Sequence, residues 1–174
     1  MEQEQGKEAW RERIPELIRL ARKAQENAYA PYSHYRVGAA LLCEDGTIVK
    51  GCNIENASYG ATNCAERTAL FAAVAEGKKS FVCLALVAGP ENGSTGIQAA
   101  EDSLTERTQG KAGGQEPAES AARYPSPCGI CRQAFREFVN PSRFSIIMAR
   151  TETDYRIRTL EALLPESFGP EDLV

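Results

Sequence analysis

Apolar side chains recur at Ile14, Leu17, Ile18, Ala21, Ala24 and Ala28, a stripe with helical spacing that predicts an amphipathic helix over 14–28. Pro15 suits the first turn of that helix, and Pro31 closes the segment after it. The rhythm then changes. Arg36–Cys43 is a short apolar run, Glu44-Asp45-Gly46 reads as a turn, and Thr47–Ile54 is a second run; together they predict a β-hairpin. Asn63 is placed to cap a helix from Cys64 to Glu76, which Gly77 ends. Phe81–Ala88 is apolar at every position, the mark of a central strand. Ser126 as cap and Pro127 at the first helical position open a further helix through Val139, stopped by Asn140-Pro141. Phe144–Ala149 and Tyr155–Arg158 read as short strands and Leu160–Leu164 as a last helical turn. Strands interleaved with helices predict a three-layer α/β domain.

The stretch 90–123 breaks the pattern. Its large apolar residues are Ile97 and Leu104, and six acids against three bases give it a charge of −3. So polar a segment buries too little to order itself strongly, and it reads as a surface insertion. The remainder is ordinary for one domain. The chain has 174 residues, 43% apolar and 25% charged, with a net charge of −4. That length is enough to bury a core without disulfide staples. With no run of Lys and Arg, a nucleic-acid partner finds no electrostatic footprint. The polar start, Met1-Glu2-Gln3-Glu4-Gln5-Gly6-Lys7, argues against a signal peptide or membrane span, and a cytoplasmic location is expected.

Six cysteines divide into two groups. Cys43, Cys52 and Cys83 sit inside apolar runs, where a free thiol behaves as a small hydrophobe. Cys64, Cys128 and Cys131 sit at predicted helix starts, where exposed N–H groups and the helix dipole favour a thiolate. Cys128 and Cys131, three apart, share one helical face. Three thiolates from two helix starts suit one Zn²⁺ per chain with its fourth position left open for water, the arrangement of a catalytic rather than a structural zinc. Glu66, two residues from a ligand, is placed to take a proton from such a water. Glu66 also completes an Asn63-x-x-Glu66 capping box, and a Cys-x-x-Cys pair alone fits a redox or structural site equally well. His34, the one histidine, would be the candidate for a fourth ligand in a closed site.

Cys64-Ala65-Glu66 followed by Pro127-Cys128-Gly129-Ile130-Cys131 resembles the three-cysteine signature of the zinc nucleobase deaminases. More narrowly, the chain is similar to the small homotetrameric cytidine deaminases. The resemblance runs through Tyr29-Ala30-Pro31-Tyr32-Ser33-His34, Val37-Gly38-Ala39-Ala40-Leu41, Gly51-Cys52-Asn53-Ile54-Glu55-Asn56-Ala57 and Asn63-Cys64-Ala65-Glu66-Arg67-Thr68-Ala69. It continues through Ser126–Gln133, Glu161–Pro165 and Phe168-Gly169-Pro170-Glu171-Asp172-Leu173. It covers the chain from about residue 14 to the end, apart from the insertion.

The resemblance implies a three-layer α-β-α domain with a mixed five-stranded sheet, filling 1–174 as a single domain. It implies hydrolytic deamination of free cytidine and deoxycytidine in pyrimidine salvage, with Glu66 as proton shuttle. Asn53 and Glu55 would hold the ribose 3′-hydroxyl, and a carboxylate there would repel a phosphate, favouring free nucleosides. The backbone N–H of Ala65 would hold the base carbonyl, with Glu66. Tyr59 would reach the 5′-hydroxyl of a neighbouring subunit, and Phe168 would stack on a neighbour's base, so that active sites are shared within a homotetramer. Arg67 would hydrogen-bond the cysteine ligands, restoring electrophilicity to a zinc that carries three thiolates. Tyr35 stands where the family usually has Phe on the base wall. Two alternatives remain at this point: a blasticidin-type deaminase, disfavoured by Asn53 and Glu55, and a non-catalytic structural-zinc module.

Overall fold

The computed structural model describes residues 9–91 and 124–173. Helix α1 spans Ile14–Gln25, after a 3₁₀ turn at Ala9–Arg13. Strands β1 (Tyr35–Cys43) and β2 (Ile48–Cys52) follow, then helix α2 (Ala65–Ala75) and strand β3 (Phe81–Pro90). Helix α3 (Gly129–Arg136), strands β4 (Ser145–Ala149) and β5 (Tyr155–Thr159), and the short helix α4 (Leu160–Leu163) follow among the described residues, with 3₁₀ turns at Tyr59–Ala61 and Pro170–Leu173.

The five strands form one sheet in the order β2-β1-β3-β4-β5. Only β3 and β4 run parallel, because α3 carries the chain across one face between them; every other neighbouring pair is antiparallel. The two-residue alternation of each strand builds two cores. Ala39, Leu41, Leu84, Leu86, Ile146 and Met148 face α2 and α3, where they meet Ala69, Leu70, Ala73 and Phe135. Ala40, Leu42, Ala85, Val87 and Ile147 face α1, against Ile14, Leu17, Ile18 and Ala21. The result is the expected three-layer α-β-α arrangement with a mixed five-stranded sheet.

Two glycines set how closely the helices approach. A Cβ on Gly38 would come to 2.0 Å from the Ala21 carbonyl oxygen and 2.6 Å from the Gln25 nitrogen, so α1 lies directly on β1. On the opposite face, a Cβ on Gly51 would come to 2.3 Å from the Ala65 carbonyl oxygen and 2.4 Å from the Ala69 nitrogen. The first turns of α2 therefore rest on bare β2 backbone. Gly38 and Gly51 lie one register position apart across the β1–β2 ladder, so neighbouring rungs seat helices on opposite faces.

Element ends differ from the sequence expectation in instructive ways. α1 stops at Gln25 because the next amides, of Asn27 and Ala28, bond three residues back to Ala24 and Gln25. β2 stops at Cys52, where the Asn53 amide turns to the Val37 carbonyl and Ile54 pairs with both Tyr29 and Asn63. α3 ends at Arg136 rather than Val139. The polar insertion expected at 90–123 lies outside the described residues, save Pro90, which ends β3, and Glu91, which meets Arg36 and His34.

Candidate metal centre

The starts of α2 and α3 meet over one end of the sheet. Cys64 and Cys128 are themselves the N-cap residues, both in extended backbone (φ −77°, ψ 154° and φ −70°, ψ 167°), and neither side chain makes a cap hydrogen bond. Asn63 and Ser126, expected in those places, do other work. Asn63 Nδ2 donates to Thr68 Oγ1 at 3.1 Å, and Ser126 Oγ accepts from Arg132 Nη2 at 3.2 Å. A thiol is a poor cap acceptor beside Ser or Asn. Placing cysteine at the cap leaves its sulfur unclaimed by the helix's own amides.

Three sulfurs converge there. Cys64 Sγ lies 3.8 Å from Cys128 Sγ, which lies 3.4 Å from Cys131 Sγ, and all three fall within 4.8 Å of one another. Tetrahedral zinc–sulfur bonds of about 2.3 Å place sulfurs roughly 3.8 Å apart. The three thiols are free rather than disulfide-bonded, and their donor chemistry and spacing fit one Zn²⁺. His34, the alternative fourth ligand, is outside this cluster; its Nδ1 instead faces the Glu91 carboxylate at 3.2 Å. Of the other cysteines, Cys43 and Cys83 are buried in the cores, and burial pushes the Cys83 thiol up to about 12. Cys52 is half-buried and donates to the Asn27 carbonyl at 3.5 Å.

The cluster is already polarised. A hydrogen bond from Cys131 and another from Arg67 hold the Cys64 thiol well below its ordinary value, against the burial that opposes them. Cys131 is correspondingly pushed up, first by donating to Cys64 and then by burial. Arg67 Nη2 lies 3.6 Å from Cys64 Sγ and donates to the Thr62 carbonyl at 3.2 Å, and its guanidinium also serves Cys131. The contact expected of Arg67 with the cysteines is present. Thr62, its anchor, was not foreseen, because a backbone carbonyl leaves no mark in the sequence.

Glu66 lies in the first turn of α2 and is 4% exposed. Its carboxyl is held above the usual carboxylate range by burial, with the neighbouring Cys64 charge adding to the effect. The capping-box alternative fails, since the backbone N–H of Asn63 donates to the Ile54 carbonyl at 2.9 Å rather than to Glu66. A buried carboxyl beside three thiols, raised by its burial, has the chemistry that proton exchange near neutral pH requires. Ala65 is the first residue of α2, where helix geometry leaves backbone N–H groups without intrahelical partners.

The other expected residues surround this point at different depths. Asn53 is buried, and its amide bridges the β1 backbone, accepting from Val37 N at 2.8 Å and donating to the Tyr35 carbonyl at 2.9 Å. Glu55 Oε2 accepts from the amides of Tyr32 and Ser33 at 2.9 and 3.2 Å. The Ser33 and Tyr32 hydrogen bonds hold its carboxyl below the usual range, so it is ionised at neutral pH. Tyr35 and Tyr32 are about half exposed, and Tyr59, 78% exposed, stands edge-on to Tyr32 with ring centroids 6.2 Å apart. Phe168 is 58% exposed, while its carbonyl is held by Gln133 Nε2 at 3.0 Å. Among the described residues no helix is long and apolar enough to cross a membrane.

Comparison with known proteins agrees with this chemistry. Residues 11–148 match the family described as the cytidine and deoxycytidylate deaminase zinc-binding region. A cytidine deaminase of Sporosarcina psychrophila is 42% identical over 160 residues, 92% of this chain and 94% of that protein. A cytidine deaminase of Halalkalibacterium halodurans is 39% identical, over 90% of this chain and 95% of its own. Among solved structures, the cytidine deaminase of Burkholderia pseudomallei superposes with a TM-score of 0.66 at 36% identity, covering 88% of this chain and 97% of that one. The enzyme of Mycobacterium tuberculosis superposes with a TM-score of 0.62 at 34% identity, covering 88% and 95%.

Proposed function

The chain belongs to the zinc-dependent cytidine deaminases, and from that premise we propose that it converts free cytidine and 2′-deoxycytidine, with water, to uridine or deoxyuridine and ammonia. The proposed setting is pyrimidine salvage in the cytoplasm. The proposed unit is a single domain over 1–174 with a surface insertion at about 90–123. The observation that carries the reading is the buried Glu66 carboxyl beside a three-thiol zinc site.

Cys64, Cys128 and Cys131 would hold the metal. When bound, Zn²⁺ supplies Lewis acidity that activates water near neutral pH. Glu66 accepts a proton from the water that attacks C4 of the base and delivers it to N3. It then carries the second proton to the C4 amino group, which departs as ammonia. A carboxyl held above its usual range suits both halves of this exchange, because accepting and donating must each be feasible near neutral pH. Arg67 draws charge from the Cys64 and Cys131 sulfurs, which keeps the metal electrophilic despite its thiolates.

Substrate would be held by Asn53 and Glu55 at the ribose 3′-hydroxyl and by the Ala65 N–H at the base carbonyl. The spare lone pair and N–H of the Asn53 amide leave it able to serve the sugar while it bridges β1. Tyr35 would line the base. Tyr59 and Phe168, both largely exposed, would complete the sites of neighbouring subunits in a homotetramer, Phe168 by stacking on the base.

Glu66→Gln is the direct test. Gln is nearly isosteric and cannot shuttle protons, so turnover should fall by more than the roughly 10²–10⁴-fold of a single acid–base contribution. Zinc content and thermal stability should stay at the parental level. Activity within tenfold of the parent would remove Glu66 from the mechanism.

A further inference from the structure

The C-terminal tail is held by the same helix that carries two of the metal ligands. Arg132 Nη1 donates to the Leu163 carbonyl at 2.7 Å, while its Nε donates at 2.8 Å to the carbonyl of Pro127, just before Cys128. Gln133 Nε2 reaches the Phe168 carbonyl. One turn further along α3, Arg136 Nε donates to Ser167 Oγ at 3.0 Å and its Nη2 pairs with Glu171.

Arg136 differs from the other two in being buried. Its side chain is only 8% exposed, and a guanidinium taken out of water persists only where its donors are paired. Both named partners lie in the tail. Gly169 sits flat on the guanidinium, so close that a Cβ would come to 2.4 Å from Cζ and Nη2 and 2.6 Å from Nη1. Gly169 and Asp172 close the turn beyond, the Gly169 amide donating to Asp172 Oδ2 at 2.7 Å and the Asp172 amide to the Gly169 carbonyl at 3.0 Å. The residues on both sides of Phe168 are thus clamped onto α3 while its ring stands in solvent.

We infer that Arg136 is a positioning residue: its buried guanidinium fixes residues 167–171 against α3 and thereby presents the Phe168 ring in one place. The inference rests on the reading of Phe168 as the ring that stacks on a base bound in a neighbouring subunit. A ring on a loose tail would spend most of its time elsewhere, and each binding event would have to order it. Arg136 acts by removing that cost in advance, and it touches neither substrate nor metal.

The test compares Arg136→Met, Arg136→Lys, Gly169→Ala and Phe168→Ala, with KM, kcat, zinc content and amide hydrogen exchange of residues 165–173 measured on the zinc-loaded enzyme. Phe168→Ala should raise KM by about 5- to 150-fold, the range of a lost base–aromatic stack. Arg136→Met should raise KM by a comparable or smaller factor, with kcat and zinc nearly parental and tail exchange at least tenfold faster. Arg136→Lys keeps the charge but cannot span Ser167 and Glu171 together, so its KM should fall between. Gly169→Ala displaces the guanidinium from the other side and should loosen the tail in the same way, which keeps the test open if Arg136→Met folds poorly. In the Arg136→Met/Phe168→Ala double variant, KM should be no higher than in Phe168→Ala alone. A parental KM in both Arg136→Met and Gly169→Ala, beside a raised KM in Phe168→Ala, overturns the positioning role. A parental KM in Phe168→Ala overturns the stacking reading itself and this inference with it.

Discussion

Substituting Gly51 by Ala adds one methyl group at the seat of α2, the helix that carries Glu66, and its consequences follow from distances. The new Cβ would stand 2.3 Å from the Ala65 carbonyl oxygen, 2.4 Å from the Ala69 nitrogen and 3.0 Å from the Ala69 Cα. All three are backbone atoms of α2, so no side chain can swing aside. Ordinary contact begins near 3.4 Å, which requires α2 to lift from β2 by about 1 Å. Overpacking of this kind costs about 1–3 kcal/mol, or a melting temperature lower by roughly 2–12 °C for a chain of this size. The functional loss should be larger than that figure suggests. Cys64, Ala65 and Glu66 open the displaced helix, whereas Cys128 and Cys131 belong to α3 and stay behind. A displacement of about 1 Å can cost a hundredfold in rate, so kcat for cytidine should fall by about 10²-fold, with weaker zinc retention under chelation. Gly38→Ala is the matched control, since its Cβ meets α1 backbone at 2.0 Å on the face away from the cysteines. It should lose comparable stability while keeping kcat within a few-fold. Steady-state kinetics, zinc stoichiometry and thermal melts of both variants decide the matter. Equal losses of activity in the two, or full activity in Gly51→Ala, would refute the argument that this glycine sets the position of α2 for catalysis.

Cys64→Ala, Cys128→Ala and Cys131→Ala should each lose zinc and activity together, while Cys43→Ala, Cys52→Ala and Cys83→Ala should keep one zinc per chain by metal analysis. Cytidine 3′-monophosphate should be a far poorer substrate than cytidine, and Glu55→Gln should narrow the ratio of their kcat/KM values by removing the repelling charge. Co-expressed Glu66→Ala and Phe168→Ala chains should exceed the summed activity of the two separate variants, because sites shared between subunits regain both residues; a simple average from confirmed mixed oligomers would refute sharing. The Asp45 carboxylate is lowered from 3.8 to about 2, mainly by Lys78 at 2.6 Å and also by Thr47. Because its folded value lies below its unfolded one, its contribution is complete above about pH 4 and is lost as pH falls through 2. The melting-temperature gap between the parent and Asp45→Asn should therefore be constant from pH 5 to 7 and close below pH 4.

Periodicity made most of the fold legible, because burial imposes it directly: the α1 stripe and the apolar runs of β1, β3 and β4 all became core. Element ends were less legible, since they depend on long-range partners. Nothing local says that Asn53 will turn to Val37 and end β2, or that α3 will stop at Arg136, whose side chain is taken by Ser167 and Glu171. The cap assignments went astray for a chemical reason. Local propensity favours Asn63 and Ser126 as caps, but the site needs sulfur at both helix starts, and function prevailed over propensity. The thiol cluster was legible because Cys-x-x-Cys on one helix face and a third cysteine at another helix start leave few geometries. Arg132 and Arg136 were not, because a charged residue in a surface-helix pattern looks solvated until the tail that covers it is known.

The central claim is that the three thiols hold a metal that serves hydrolysis of cytidine. It is tested most directly by measuring zinc per chain and the fall in cytidine absorbance on the same purified sample, before and after chelation and again after adding zinc back. The account predicts one zinc per chain, conversion of cytidine to uridine with release of ammonia, loss of turnover on chelation and its return with zinc. One zinc per chain with no change in cytidine absorbance would contradict it.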